Sequence, residues 1–200
     1  MAFLRRDPFE KASDRDKAAR LGMAVFLIVV VVLFVAAILG FVVVRLDAVR
    51  GAAWRGEGVP GLPKTLLLST AALIASGAML HRAVRAACRG AQAICATSVS
   101  AAYWLGVLFV LLQGAAWWSM WRQHVTITES LYAWTFYVLT ALHVLHVIGG
   151  LYGLGLTHRS ARAHRYSPVS HNGLVLCAMY WHTLDAIWLV LYAALWVGAR

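Results

Sequence analysis

Leu21–Val44 is an unbroken apolar run without a single charged side chain, and no other feature constrains the fold as tightly. A helix that crosses a bilayer needs about 20 mostly apolar residues. Four further runs meet or approach that length. Leu66–Leu80 is extended by Thr65 and by Ala83–Ala87, while Val99–Trp121 is continuous. Leu131–Leu156 is interrupted only by His143 and His146, and Leu174–Val197 only by His182 and Asp185. In lipid, every backbone N–H and C=O must pair inside a helix or a closed barrel. The runs therefore predict an all-α integral membrane bundle of five transmembrane helices. The spans fall near 21–44, 65–87, 99–121, 131–156 and 174–197, preceded by a charged segment, 1–20.

The chain is 62% hydrophobic, against about 45–50% in soluble domains. Its net charge of +10 could suggest nucleic acid, but nearly all Lys and Arg lie between the apolar runs, where they orient helices in a membrane. Five spans put residues 1–20, the 81–98 loop and the 158–172 loop on one side, with twelve cationic residues, against six on the other. The N-terminus is thus expected in the cytoplasm and the C-terminus outside. Met1–Arg20 lacks a short apolar core followed by a cleavage site, so it reads as a cytoplasmic lead-in, not a signal peptide. Tyr103, Trp104, Trp117, Trp118 and Trp121 lie near the ends of the third run, as expected of an aromatic belt. Cys88, Cys95 and Cys177 form no CxxC or Cys/His cluster, so they read as idle or buried thiols. Gly149, Gly150, Gly153 and Gly155, with Ala71, Ala75 and Gly77, suit close helix packing.

Ionisable residues at mid-membrane are costly and normally partnered. His143 and His146 are one turn apart on the fourth run, and His182 and Asp185 have the same spacing on the fifth. Each pair shares a helix face, and antiparallel neighbours bring both to similar depth. Three readings are open: a hydrogen-bonded interhelical lock, haem or metal ligation by the histidines, and a proton or ion path extended by Thr140 and Tyr137. The lock is the favoured reading, because two histidines on one helix and one on another form a weak ligand set, and nothing completes a path.

The same residues carry a family resemblance. Phe136–Gly149, with His143 and His146, resembles a run of aromatics, Leu-Thr-Gly and two histidines in subunit III of haem–copper terminal oxidases. Tyr180-Trp181-His182-Thr183-Leu184-Asp185 with Trp188 resembles that family's C-terminal signature. His171, Leu62-Pro63-Lys64-Thr65, Leu105-Gly106 with Gln113, and Leu21-Gly22-Met23 match further points in order. Three family glutamates fall here at Val30, Ala116 and Val175. The resemblance implies the short five-helix form, with no catalytic centre, haem or metal in this chain. Haem and copper belong to partner subunits: subunit I, on which this chain packs, and subunit II. The chain is then expected to support assembly, phospholipid binding and sustained O2 reduction coupled to proton translocation, in the inner membrane of a bacterium. His143, His146, His182 and Asp185 form the expected lock. Arg159, Arg162, Arg165 and His171 are candidate contacts for lipid headgroups. The rival classes are an accessory subunit of a nitric oxide reductase, a stand-alone haem or metal membrane protein, and a small transporter.

Overall fold

The computed structural model of the chain describes residues 12–50, 54, 61–128 and 130–199. Five α-helices make up its regular structure: α1 (Ala12–Arg50), α2 (Thr65–Cys88), α3 (Gln92–Arg122), α4 (Leu131–Arg162) and α5 (Asn172–Gly198). All five are long and apolar enough to cross a membrane. The expected spans are each found inside a helix, but the helices run past them. The difference is physical: hydropathy marks the part that sits in lipid, whereas helical hydrogen bonding continues into the charged ends. Thus α1 begins before its apolar run, with Lys17 and Asp14 paired one turn apart at 3.9 Å. Residues 1–11 of the expected N-terminal segment lie outside the described residues.

The packing order follows the chain for α2 to α5, and α5 also touches α2. These four form a closed antiparallel bundle, while α1 packs on α4 and α5. Among the described residues, α1 has no packing contact with α2 or α3. The core holds Phe34, Phe109, Phe136, Trp181 and Trp188, all essentially without exposure. Small residues set the closest approaches. A Cβ on Gly106 would lie 2.8 Å from the Trp181 ring, and one on Gly150 would lie 2.8 Å from Tyr180. Gly153 faces open space, so the glycine run on α4 packs tightly at one point only.

Each end of the bundle is tied by short polar contacts. At one end Arg20 Nε donates to Asn172 Oδ1 at 2.9 Å, and Cys88 Sγ lies 3.4 Å from His171 Nε2. At the other, Trp54 Nε1 donates to Gly198 O at 2.9 Å, while Tyr132 N donates to Trp54 O. Trp54 stands edge-on to both Phe41 and Tyr132, so this one loop residue holds the ends of α1, α4 and α5 together. Cys88, Cys95 and Cys177 are all free thiols.

Candidate functional site

His143 projects from α4 into the centre of the bundle and has no exposed surface. Its ring stacks on Trp188 of α5, with centroids 5.0 Å apart, and meets the edges of Phe109 of α3 and Phe34 of α1. One imidazole therefore touches aromatics from three other helices. Neither ring nitrogen has a hydrogen-bond partner in this apolar box. His146 sits one turn on, beside Phe34 at 5.0 Å. Its Nδ1 donates to Leu142 O at 2.8 Å, which fixes the proton on that nitrogen, because a carbonyl only accepts.

His182 and Asp185 occupy a different side of α5. Nδ1 of His182 lies 3.4 Å from Oδ2 of Asp185, and the side chains are 43% and 14% exposed. The pair lies over Gly77 of α2, where any Cβ would run into Asp185 Oδ2. His81, one turn further along α2, has its ring 6.3 Å from His182. No hydrogen bond or ring contact among the described residues joins the His143/His146 pair to the His182/Asp185 pair. The one-turn spacing within each pair was readable from the sequence; the rotation of each pair about its helix was not.

The bonds that cross between helices use other groups. Trp188 Nε1 donates to Thr70 Oγ1 at 2.9 Å, linking α5 to α2. Gln113 Nε2 donates to Ser69 Oγ at 3.1 Å, and Ser76 Oγ to Ala102 O at 2.7 Å, both linking α2 and α3. Trp117 Nε1 donates to Thr140 Oγ1 at 3.0 Å, and Tyr180 OH to His146 O at 2.9 Å. Ser69, Thr70 and Ser76 escaped the sequence reading. Their signal was faint, because a hydroxyl inside an apolar run more often bonds its own helix; Thr70 does both, donating to Leu66 O at 2.8 Å.

Arg159, Arg162 and Arg165 stand exposed at the end of α4 and just beyond. His171 is half-buried at the start of α5, with Nδ1 donating to Ser167 O at 3.0 Å and Nε2 toward Cys88. The structure thus places His171 against the end of α2 and leaves the three arginines facing outward. Near them a groove of about 520 Å³ runs between α1, α4 and α5, lined by Met23, Phe26, Gly150, Gly153 and Tyr180, with Ser160 and Tyr166 among its polar lining. Burial pushes the Tyr166 phenol above its ordinary range, so it stays neutral. Val30 and Ala116 are buried, and Val175 is half-buried. Among the described residues, no group of three or more His, Cys, Asp or Glu could hold a metal ion.

Comparison with known proteins agrees with this architecture. The family described as "Cytochrome c oxidase subunit III" matches residues 10–199. "Cytochrome c oxidase subunit 3" of Paracentrotus lividus is 35% identical over 157 residues, which is 74% of this chain and 57% of that protein. The protein of the same name from Branchiostoma lanceolatum is 32% identical over 185 residues, 90% of this chain and 70% of that one. The Sus scrofa protein is 31% identical over 189 residues, 92% of this chain and 71% of the relative. The chain therefore spans between about half and three-quarters of the relatives it matches. A match over nearly the whole sequence, on five helices that can each span a membrane, makes this chain a member of the cytochrome c oxidase subunit III family.

Proposed function

We propose that the chain is the non-catalytic subunit III of a respiratory haem–copper terminal oxidase, packing on subunit I and sustaining O2 reduction coupled to proton translocation. The observation that carries this reading is the setting of His143. Its imidazole is boxed by Phe34, Phe109 and Trp188, which come from three different helices, a geometry suited to fixing how the helices pack. A histidine in that setting acts as a packing element; haem and copper then reside in partner subunits. His146 supports the same role through its own carbonyl bond and its contact with Phe34.

Phospholipid is the second part of the proposal. The groove between α1, α4 and α5 offers an apolar trough with Ser160 and Tyr166 among its polar lining. Arg159, Arg162 and Arg165 belong to the adjoining surface, where guanidinium groups attract headgroup phosphates. His171, which sits against Cys88 at the end of α2, offers a separate headgroup contact at the same end of the bundle. With the arginine-rich ends facing the cytoplasm, this end lies at the inner leaflet of a bacterial inner membrane.

Purification of the chain from its source membrane in mild detergent tests the reading. Haem absorbance is expected in the co-purified complex and absent from the isolated chain. The complex is expected to consume O2, and removal of this chain is expected to leave the initial rate while shortening the active lifetime. A Soret band in the isolated chain would move the function to a stand-alone haem protein. Consumption of NO instead of O2 would move it to a nitric oxide reductase.

A further inference from the structure

A histidine and a carboxylate near the middle of a spanning helix belong in a protein interior or against a partner, since hydrocarbon offers no hydrogen bonds. His182 and Asp185 meet only half of that requirement. Gly77 of α2 covers the carboxylate, yet the His182 side chain is 43% exposed. Its Nδ1 is turned to Asp185, and its Nε2 has no hydrogen-bond partner among the described residues.

The surroundings of His182 form a docking trough. On one side, α1 and α5 enclose a groove of about 430 Å³ lined by Val31, Val35, Ile38, Ala186 and Val190 together with His182. On the other side stands α2, with Gly77 and His81 against the polar pair. Because α1 and α2 do not pack on each other, the strip of α5 between them is left uncovered among the described residues. Its exposed residues include Ala186, and Gly77 of α2 lies beside the strip, so a visiting backbone can come close. The other outward faces are different. Leu108 and Leu111 on α3, and Leu145 and Ile148 on α4, present plain apolar surface that lipid tails satisfy.

We propose that this strip of α5 between α1 and α2, centred on His182, is the docking site for a transmembrane helix of another oxidase subunit. The visiting helix offers a hydrogen-bonding side chain, such as Ser, Thr, Asn or Gln, at the depth of His182. An acyl chain fills the apolar wall but leaves the imidazole unsatisfied, so a helix with a polar group is the occupant that matches both parts of the surface. The inference rests on the reading of the chain as an oxidase subunit, and it adds the face by which that subunit attaches.

Site-specific photocrosslinking in the intact membrane complex tests it. A benzophenone amino acid is placed singly at Val35, Val190, Leu111 and Leu145. The first two flank the trough, and the last two are 65% exposed on the other faces. Adducts are identified by mass spectrometry. Val35 and Val190 are expected to capture a transmembrane peptide of a co-purifying haem-bearing subunit, at least tenfold more than Leu111 or Leu145. A His182→Phe variant, which keeps a ring and removes its nitrogens, is expected to lower retention of that subunit about tenfold in mild detergent. Adducts from Leu111 or Leu145 but not from the trough would overturn the assignment while leaving the oxidase reading intact. Lipid alone at the trough of an intact complex, or a second copy of this chain there, would overturn it equally. Absence of any co-purifying haem subunit would overturn both readings together. The crosslinking positions lie outside the His182/Asp185 pair, so the result stands even where the His182 variant fails to fold.

Discussion

Trp188 makes two contacts that no local pattern specifies: its ring stacks on His143 of α4, and its Nε1 donates to Thr70 of α2. Interhelical hydrogen bonds in membranes average about 0.6 kcal/mol and reach about 1.7. Trp188→Phe keeps most of the stacking and removes the bond. It is expected to destabilise the bundle by about 1 kcal/mol, read as a shift in reversible detergent unfolding. Glycine positions give a sharper contrast. Gly106→Ala would push a methyl to within 3.0 Å of both Trp181 and Leu151, whereas Gly153→Ala meets nothing within 4 Å. The first is expected to lower thermal stability by roughly 1–3 kcal/mol, as over-packed cores do. The second is expected to be neutral or slightly stabilising, because alanine favours helix more than glycine does. Equal effects in the same melting assay would contradict the packing at Trp181. Ala116, which is fully buried, gives a related case. Ala116→Glu would bury a carboxylate among residues packed for a methyl, so it is expected to lower the unfolding midpoint.

At the scale of elements, α4 is the helix whose ends and faces do the most. Its N-cap is Ser130, whose Oγ accepts from Ala133 N at 3.1 Å. Removing such a cap costs about 1 kcal/mol. Ser130→Ala is expected to fray the first turn, which would show as faster hydrogen exchange at residues 131–134 with the rest of α4 protected. That turn matters because Tyr132 N is held by Trp54 O, and Trp54 in turn holds Gly198. The helix faces were partly legible in the sequence. Burial of His143 follows from its place among Phe136, Leu139, Thr140 and Val147, all buried on one side of α4. The side taken by His182 was not legible, because α5 is apolar nearly all round and its composition does not single out a lipid face.

At the scale of the whole molecule, one end gathers Arg20, Cys88, Gln92, His164 and His171, and the other gathers Trp54, Val125, Tyr132 and Gly198. The first end carries the larger share of cations, so we expect it to face the cytoplasm. Cys88 is exposed at that end and is a free thiol. It is expected to react with a membrane-impermeant maleimide in inside-out vesicles and to be protected in right-side-out ones; the opposite pattern would invert the topology. Cys95 is buried and Cys177 is half-buried, so neither is expected to contribute appreciable signal.

Five long apolar runs were enough to specify a five-helix membrane bundle, and the two histidine motifs pointed to its family. Both follow from local causes: uncharged length obliges a helix in lipid, and fixed spacing puts paired residues on one helix face. Where each pair points emerges only from the packing of the five helices. His143 turns inward because Phe34, Phe109 and Trp188 from three other helices close around it. His182 and Asp185 turn toward Gly77, beside a strip of α5 that α1 and α2 flank without meeting among the described residues. Rotation about a helix axis is set by the shapes that neighbouring helices present. For helices apolar on nearly every side, that information is absent from any one segment and arises only when all five are packed.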